Sequence, residues 1–298
     1  MSEILTESIN PNSRNIDEKS TEEILRIINE EDKKVPLAVE KEIPKIAEVV
    51  DEIVKRIEKG GRVFYVGAGT SGRLGVLDAS EIPPTYGADP NLFQGIIAGG
   101  DFALRFSVEG IEDDEERGRR DLEEKGINEK DTVIGIAASG KTPYVLSALK
   151  FAKEKGAFTV GIVCNENTPM EKICDKTIKA LVGPEVIAGS TRMKAGTAQK
   201  LILNMISTSV MIKLGKVYDN LMVDVQVLNK KLKERAKRIL NITCNLGEKE
   251  AEEILKKANN NVKLAIIMAK SGVDYNTAKN LLEKHKGRIR DVLKEIGG

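Results

Sequence analysis

The stretch Val63-Phe64-Tyr65-Val66-Gly67-Ala68-Gly69-Thr70-Ser71-Gly72-Arg73 joins a short apolar run to a glycine-rich turn, the pattern of a buried strand that feeds directly into a helix. Working outward, Gly95 to Ala98, Thr132 to Ala137 and Thr159 to Val163 repeat the apolar run. Residues 72 to 80, 101 to 125 and 142 to 155 between them read as helical crossovers. Strand and helix alternating in this way predict an α/β fold, with a parallel sheet covered on both faces and a ligand site at the carboxyl ends of its strands.

Upstream, residues 1 to 19 form a polar arm with a turn at Asn10-Pro11-Asn12. Ser20 and Glu23 make a capping box for a helix carrying Ile24, Leu25, Ile27 and Ile28. A second helix takes Ile43, Ile46, Ala47, Val50, Ile53, Val54 and Ile57, with Pro44 in or bending its first turn and Gly60-Gly61 as its stop. Downstream, long helices are expected from about Thr191 to Leu214 and from about Val223 to Asn241. After Asn245-Leu246-Gly247 a Lys- and Glu-rich tail reads as three short amphipathic helices. The division expected is an arm and helices over 1–52, a ligand-binding α/β domain over 53–216, a connecting helix over 217–245 and a helical module over 246–298.

The 298 residues hold 47 Lys+Arg against 46 Asp+Glu, a net charge of +1. Such balance gives no ground for a nucleic-acid or membrane-surface partner, which demands a basic excess. At 41% apolar residues the chain can fill a core and is not disordered. No run reaches the roughly 18 apolar residues of a membrane helix, and the acid near Met1 is unlike a signal peptide; a cytoplasmic protein is expected. Cys164, Cys174 and Cys244 are odd in number and widely spaced, which suits neither a disulfide framework nor a metal site. With His285 the lone histidine, near a helix end, no metal is expected.

Gly67-Ala68-Gly69-Thr70-Ser71-Gly72 fits the dinucleotide fingerprint Gly-x-Gly-x-x-Gly. That reading needs an acid at the end of the next strand, whereas Asp89 sits in a turn before it. Thr70 and Ser71 offer hydroxyls instead, and Ser139-Gly140-Lys141-Thr142 repeats the set at another strand end. Either loop alone is equally a strand-to-helix turn with Ser or Thr as N-cap. Together they would converge on one phosphate, held by hydroxyls and helix-end amides, which favours a sugar monophosphate.

The paired loops resemble those of the sugar isomerase (SIS) fold, and three longer strings are more specific. Leu77-Asp78-Ala79-Ser80-Glu81-Ile82-Pro83-Pro84-Thr85, Val108-Glu109-Gly110-Ile111-Glu112-Asp113 and Gly183-Pro184-Glu185-Val186-Ile187-Ala188-Gly189-Ser190-Thr191-Arg192-Met193-Lys194-Ala195-Gly196-Thr197-Ala198-Gln199-Lys200 are similar to the N-acetylmuramic acid 6-phosphate etherases. The similarity runs from about Asn10 into the C-terminal helices. The glucokinase regulatory protein shares the third string, which by itself does not separate catalysis from regulation.

The resemblance implies an SIS-type parallel sheet flanked by helices, with N-terminal helices and a small C-terminal helical module. It implies cleavage of the lactyl ether at C3 of N-acetylmuramate 6-phosphate to N-acetylglucosamine 6-phosphate and D-lactate, without a cofactor. Glu81 then donates a proton to the departing lactate and Glu112 handles the C2 proton. The chemistry is coherent: opening the sugar ring makes C1 an aldehyde and C2–H acidic, loss of the C3 oxygen gives an unsaturated aldehyde, and water adds at C3. One carboxylate base and one carboxylic acid suffice. Glu81, ending its helix before Ile82-Pro83-Pro84, is expected in an apolar setting that keeps it protonated. Glu112 lies in an acidic run that by itself reads as a solvated helix face, and Glu109, three residues earlier, is an alternative base sharing that face.

Gly69, Thr70, Ser71, Ser139, Gly140 and Thr142 are expected to hold the phosphate. Ser190, Arg192 and Lys194 are candidates for the lactyl carboxylate, or equally cap and solvate the long helix. A sugar-phosphate-responsive regulator and an aldose-ketose isomerase are the competing readings, and free D-lactate separates all three. A homodimer with sites near its interface is expected from the polar arm and long helices.

Overall fold

A computed structural model describes residues 5–224 and 230–297. Their contacts group residues 5–81 with 90–207 in one compact unit and 82–89 with 208–297 in a second.

In the first unit, α1 (Thr21–Asp32) starts at the expected capping box, with Ser20 and Glu23 each bonding the other's backbone. A short α2 (Lys34–Glu40), not anticipated, precedes α3 (Ile43–Ile57), which has Pro44 in its first turn. Then come β1 (Val63–Gly67), α4 (Gly69–Tyr86), β2 (Phe93–Ile97), α5 (Gly100–Arg105), α6 (Glu115–Glu123), β3 (Thr132–Ile136), α7 (Pro143–Glu154), β4 (Phe158–Val163), α8 (Pro169–Ile173), β5 (Lys176–Lys179) and α9 (Lys194–Lys213). The five strands are parallel in the order β2-β1-β3-β4-β5. β1, β3 and β4 are buried on both faces, which is why they read as unbroken apolar runs.

One sheet face carries Phe64, Val66 and Val133 against Val145, Ala148, Leu149 and Ala152 of α7. Gly135 allows the close approach, since a Cβ there would lie 2.6 Å from Leu149 Cδ1. Helices α6 and α7 are closer still, with a Cβ on Gly118 falling 2.1 Å from the Tyr144 carbonyl oxygen.

Two of the helices expected in this unit need correction. The crossover expected as one helix over 101–125 is broken into α5, a single 3-10 turn at Ile111–Asp113, and α6. The interruption follows from Gly110, whose φ of +73° no right-handed helix accepts. The helix expected over 72–80 runs from Gly69 to Tyr86, so Glu81 does not end it. Pro83 and Pro84 are accommodated near its carboxyl end.

The second unit holds a two-residue-strand hairpin, β6 (Val217–Tyr218) and β7 (Leu221–Met222), and helices α10 (Lys230–Cys244), α11 (Glu248–Lys257), α12 (Val262–Ser271), α13 (Tyr275–Lys284) and α14 (Ile289–Ile296). Part of the helix expected from Val223, residues 225–229, lies outside the described residues. The tail has four helices where three were expected; α12 is its centre, buried among Leu240, Leu255, Val292 and Leu293 of its neighbours.

Candidate active site

In an open α/β sheet, ligands bind where the strand order reverses, and here that point lies between adjacent β1 and β3. The two hydroxyl-bearing loops follow these two strands. In the first, Gly69 has φ +53°, and a Cβ on Gly72 would meet the Gly67 carbonyl oxygen at 2.6 Å. Helix α4 can therefore begin directly against its strand. In the second, Gly140 has φ +65° and packs where a Cβ would lie 2.6 Å from Thr168 Cβ. The Lys141 amide donates to Ser139 Oγ at 3.2 Å. Thr142 occupies the N-cap position of α7 but makes no side-chain cap bond, so its hydroxyl is not spent on capping. Ser71 donates to Gln199 Oε1 at 2.9 Å.

Beside the first loop lies a cleft of about 270 Å³ at the ends of β1 and β2, lined by Ala68, Gly69, Arg73, Ala98, Glu109 and Glu112 among others. Arg73 fixes its wall by donating to the carbonyls of Leu104 and Phe106, each at 3.2 Å. Both glutamates are exposed and neither makes an ion pair among the described residues. Two members of the acidic run are occupied: Asp114 caps α6 by accepting from the Arg117 amide at 2.8 Å, and Glu116 pairs with Arg120 at 2.9 Å. Glu112 differs from these two in lining the cleft, although it is exposed, as they are. Glu109 and Glu112 do not share a helical face as expected, because Gly110 separates them, yet both reach the cleft.

Glu81 lines a different cleft of about 250 Å³ with Leu74, Leu77, Asp78, Lys200 and Asn204. It is exposed, which corrects the apolar setting expected for it; the next residue, Ile82, is the one that is buried. Behind it, buried Asp78 accepts from Tyr65 at 3.0 Å, Asn204 at 2.8 Å and Ser207 at 3.2 Å. Burial, then the charge and hydrogen bond of Asp78, push the Tyr65 hydroxyl well above its ordinary pKa. The ammonium of Lys200 donates to Asn204 Oδ1.

The 183–200 string behaves differently from expectation at one cation. Lys194 is buried, its Nζ 2.5 Å from Glu31 Oε2, so it is a scaffold charge rather than an open one. Glu185, fully buried, accepts from the amides of Lys194 at 3.0 Å and Ala195 at 2.9 Å and so caps α9. The arm anchors this segment. Asn10 donates to the Pro184 carbonyl at 3.0 Å, Ser13 to that of Val186 at 2.7 Å, and Gly189 N–H to that of Thr6 at 3.2 Å. Ser190 is half-buried and Arg192 exposed. Sequence reasoning missed Glu31, Glu185, Gln199 and Lys200; the last three lie inside a string already singled out, but nothing local distinguishes them.

A five-stranded parallel sheet with a glycine loop after each of the two strands at its switch point has the architecture of an SIS-type α/β protein. Consistent with this, the SIS domain family matches residues 121–209, and the glucokinase regulatory protein N-terminal SIS domain matches residues 45–153. A phosphoheptose isomerase from Francisella tularensis shares the fold at a TM-score of 0.50 and 19% identity, over 63% of this chain and 98% of that one. Relatives named N-acetylmuramic acid 6-phosphate etherase are much nearer. That of Caldanaerobacter subterraneus subsp. tengcongensis is 59% identical over 99% of this chain and 96% of its own. Those of Actinobacillus pleuropneumoniae and Clostridioides difficile are 54% and 52% identical, each over 98% of this chain and 96% of their own. The chain belongs to the N-acetylmuramic acid 6-phosphate etherase family, and its class of reaction is that of a carbon-oxygen lyase.

Proposed function

We propose that the chain cleaves the D-lactyl ether of N-acetylmuramate 6-phosphate, with the phosphate on the Ser71 and Ser139 loops and Glu112 as the base. The observation that supports the residue roles is Glu112 in the cleft beside Gly69, without an ion pair among the described residues. With the sugar open at C1, Glu112 takes the C2 proton. The electron pair moves to form the C2–C3 double bond as the C3–O bond breaks, and Glu81 protonates the departing lactate oxygen. Water then adds its oxygen to C3 and a proton returns to C2, giving N-acetylglucosamine 6-phosphate. Each positioned acid or base is expected to contribute roughly 10² to 10⁴ in rate.

Of the cations first assigned to the lactyl carboxylate, Arg192 with Ser190 is free to take it, whereas Lys194 is committed to Glu31. The working form is a homodimer. Leu77, 49% exposed on α4, and Met205, 36% exposed on α9, support an apolar contact with a second copy at the face bearing Glu81. Sedimentation at micromolar concentration tests this. The three free thiols suit a reducing cytoplasm.

The mechanism is tested by following lactate release and exchange of the C2 hydrogen in deuterated solvent. Glu112→Gln should abolish both. Glu81→Gln should stop lactate release while some exchange persists, because the base remains. A Glu112→Gln protein with near-normal turnover beside an inactive Glu109→Gln would move the base by three residues.

A further inference from the structure

Gln199 is 1% exposed and sits on α9 one turn beyond Gly196. A Cβ on Gly196 would lie 3.3 Å from Thr70 Cγ2, so the first turns of α9 form the back wall of the β1 loop. There Ser71 Oγ–H donates to Gln199 Oε1 at 2.9 Å, while Gln199 Nε2, equally buried, has no partner among the described residues.

These two facts are linked. A serine hydroxyl has one hydrogen, and phosphate oxygens only accept. While Ser71 gives its hydrogen to Oε1 it has none for an anion, and the two N–H groups of Nε2 stay buried and unused. A half-turn of the amide about Cγ–Cδ frees the hydroxyl hydrogen and gives an Nε2 hydrogen a partner without changing the side chain's shape. Nε2 then donates to Ser71 Oγ, and the hydroxyl hydrogen is released toward the loop's ligand. The unpaired atom becomes a carbonyl oxygen, which proteins tolerate buried more readily than an unpaired N–H.

We propose that Gln199 is a positioning residue that sets the direction of the Ser71 hydroxyl proton, and that a phosphate at the loop selects the amide orientation aiming that proton at the anion. The inference rests on Ser71 being a phosphate ligand. Gln199 itself does not touch the substrate; its effect passes through Ser71.

The test uses inorganic phosphate as a competitive inhibitor, with steady-state kinetics on N-acetylmuramate 6-phosphate, for Ser71→Ala, Gln199→Met and the double variant of the full chain. Each single variant should raise Ki for phosphate and KM about tenfold, the scale of one hydrogen bond to a charged group, with kcat little changed. The double variant should be no worse than Ser71→Ala, because the amide acts only through the hydroxyl. Gln199→Asn, one methylene shorter, withdraws the amide while staying polar and should reproduce the Ki rise if Gln199→Met does not fold. A Gln199 variant with unchanged Ki beside a weakened Ser71→Ala overturns the inference, as do losses that multiply in the double variant. An unchanged Ki in Ser71→Ala would instead remove the phosphate role of the loop, and the inference with it.

Discussion

Glu31→Gln isolates the ion pair that the sequence concealed. Glu31 and Lys194 are joined at 2.5 Å with side chains 3% and 1% exposed, and Glu31 also accepts from Asn12 at 2.8 Å and Lys34 at 2.5 Å. Burial raises the carboxyl's pKa, but the hydrogen bonds from Lys194, Lys34, Asn12 and Asn10 outweigh it and bring it down to about 2 from 4.5. That difference corresponds to roughly 3 kcal/mol favouring the folded carboxylate at neutral pH. Breaking a buried pair by removing one partner costs a similar 3–5 kcal/mol or so, because the other charge is left uncompensated. For a folding unit of this size the melting temperature should fall roughly 6–20 °C at pH 7.

The pH dependence has a definite sign. A carboxyl whose folded pKa lies below its unfolded value contributes fully above the unfolded pKa and loses that contribution as pH falls through the folded one. The gap between wild type and Glu31→Gln should therefore be widest near neutrality and narrow from about pH 4.5 toward about 2. Thermal and urea unfolding at pH 7 and pH 3.5 measure it. Adding Lys194→Met to the Glu31→Gln chain should recover much of the loss, since it removes the buried ammonium that the single variant leaves without a counter-charge. A melting temperature within about 2 °C of wild type at pH 7, or a gap that does not change with pH, would refute the reasoning.

Ser139→Ala should raise KM with little harm to folding, and unphosphorylated N-acetylmuramate should be a very poor substrate; equal kcat/KM with and without the phosphate would remove both loops from phosphate binding. Gly118→Ala puts a methyl 2.1 Å from the Tyr144 carbonyl oxygen, which should force α6 from α7 and cost at least about 1–3 kcal/mol in urea unfolding. A mechanism run by two carboxyl groups should keep full activity after exhaustive chelation, and loss restored by one divalent metal would show that the acidic segment around Glu112 had been misread.

The sheet was legible where burial is two-sided. Val63–Gly67, Thr132–Ile136 and Phe158–Val163 are continuous apolar runs, whereas β5, Lys176-Thr177-Ile178-Lys179, went unnoticed because an edge strand carries charge. The two glycine loops were legible for a local reason too: a turn from strand into helix this tight needs glycine. Lys194 was not, because its partner is 163 residues away and a lysine in a motif looks the same whether it faces substrate or Glu31.

The same limit applied to the start of α9, read as a cap with cations for the substrate. Its first amides are already taken by Glu185, so that end of the helix offers an anion little beyond Ser190 and Arg192. Among the described residues no carboxylate caps α4 or α7, and Thr142 leaves the α7 amides without a side-chain cap. An internal anion at one helix start and none at the other two fits the proposed placement of the substrate's charges, with the dianionic phosphate at α4 and α7, where helix-end amides remain available, and the single lactyl carboxylate at the side chains around Arg192.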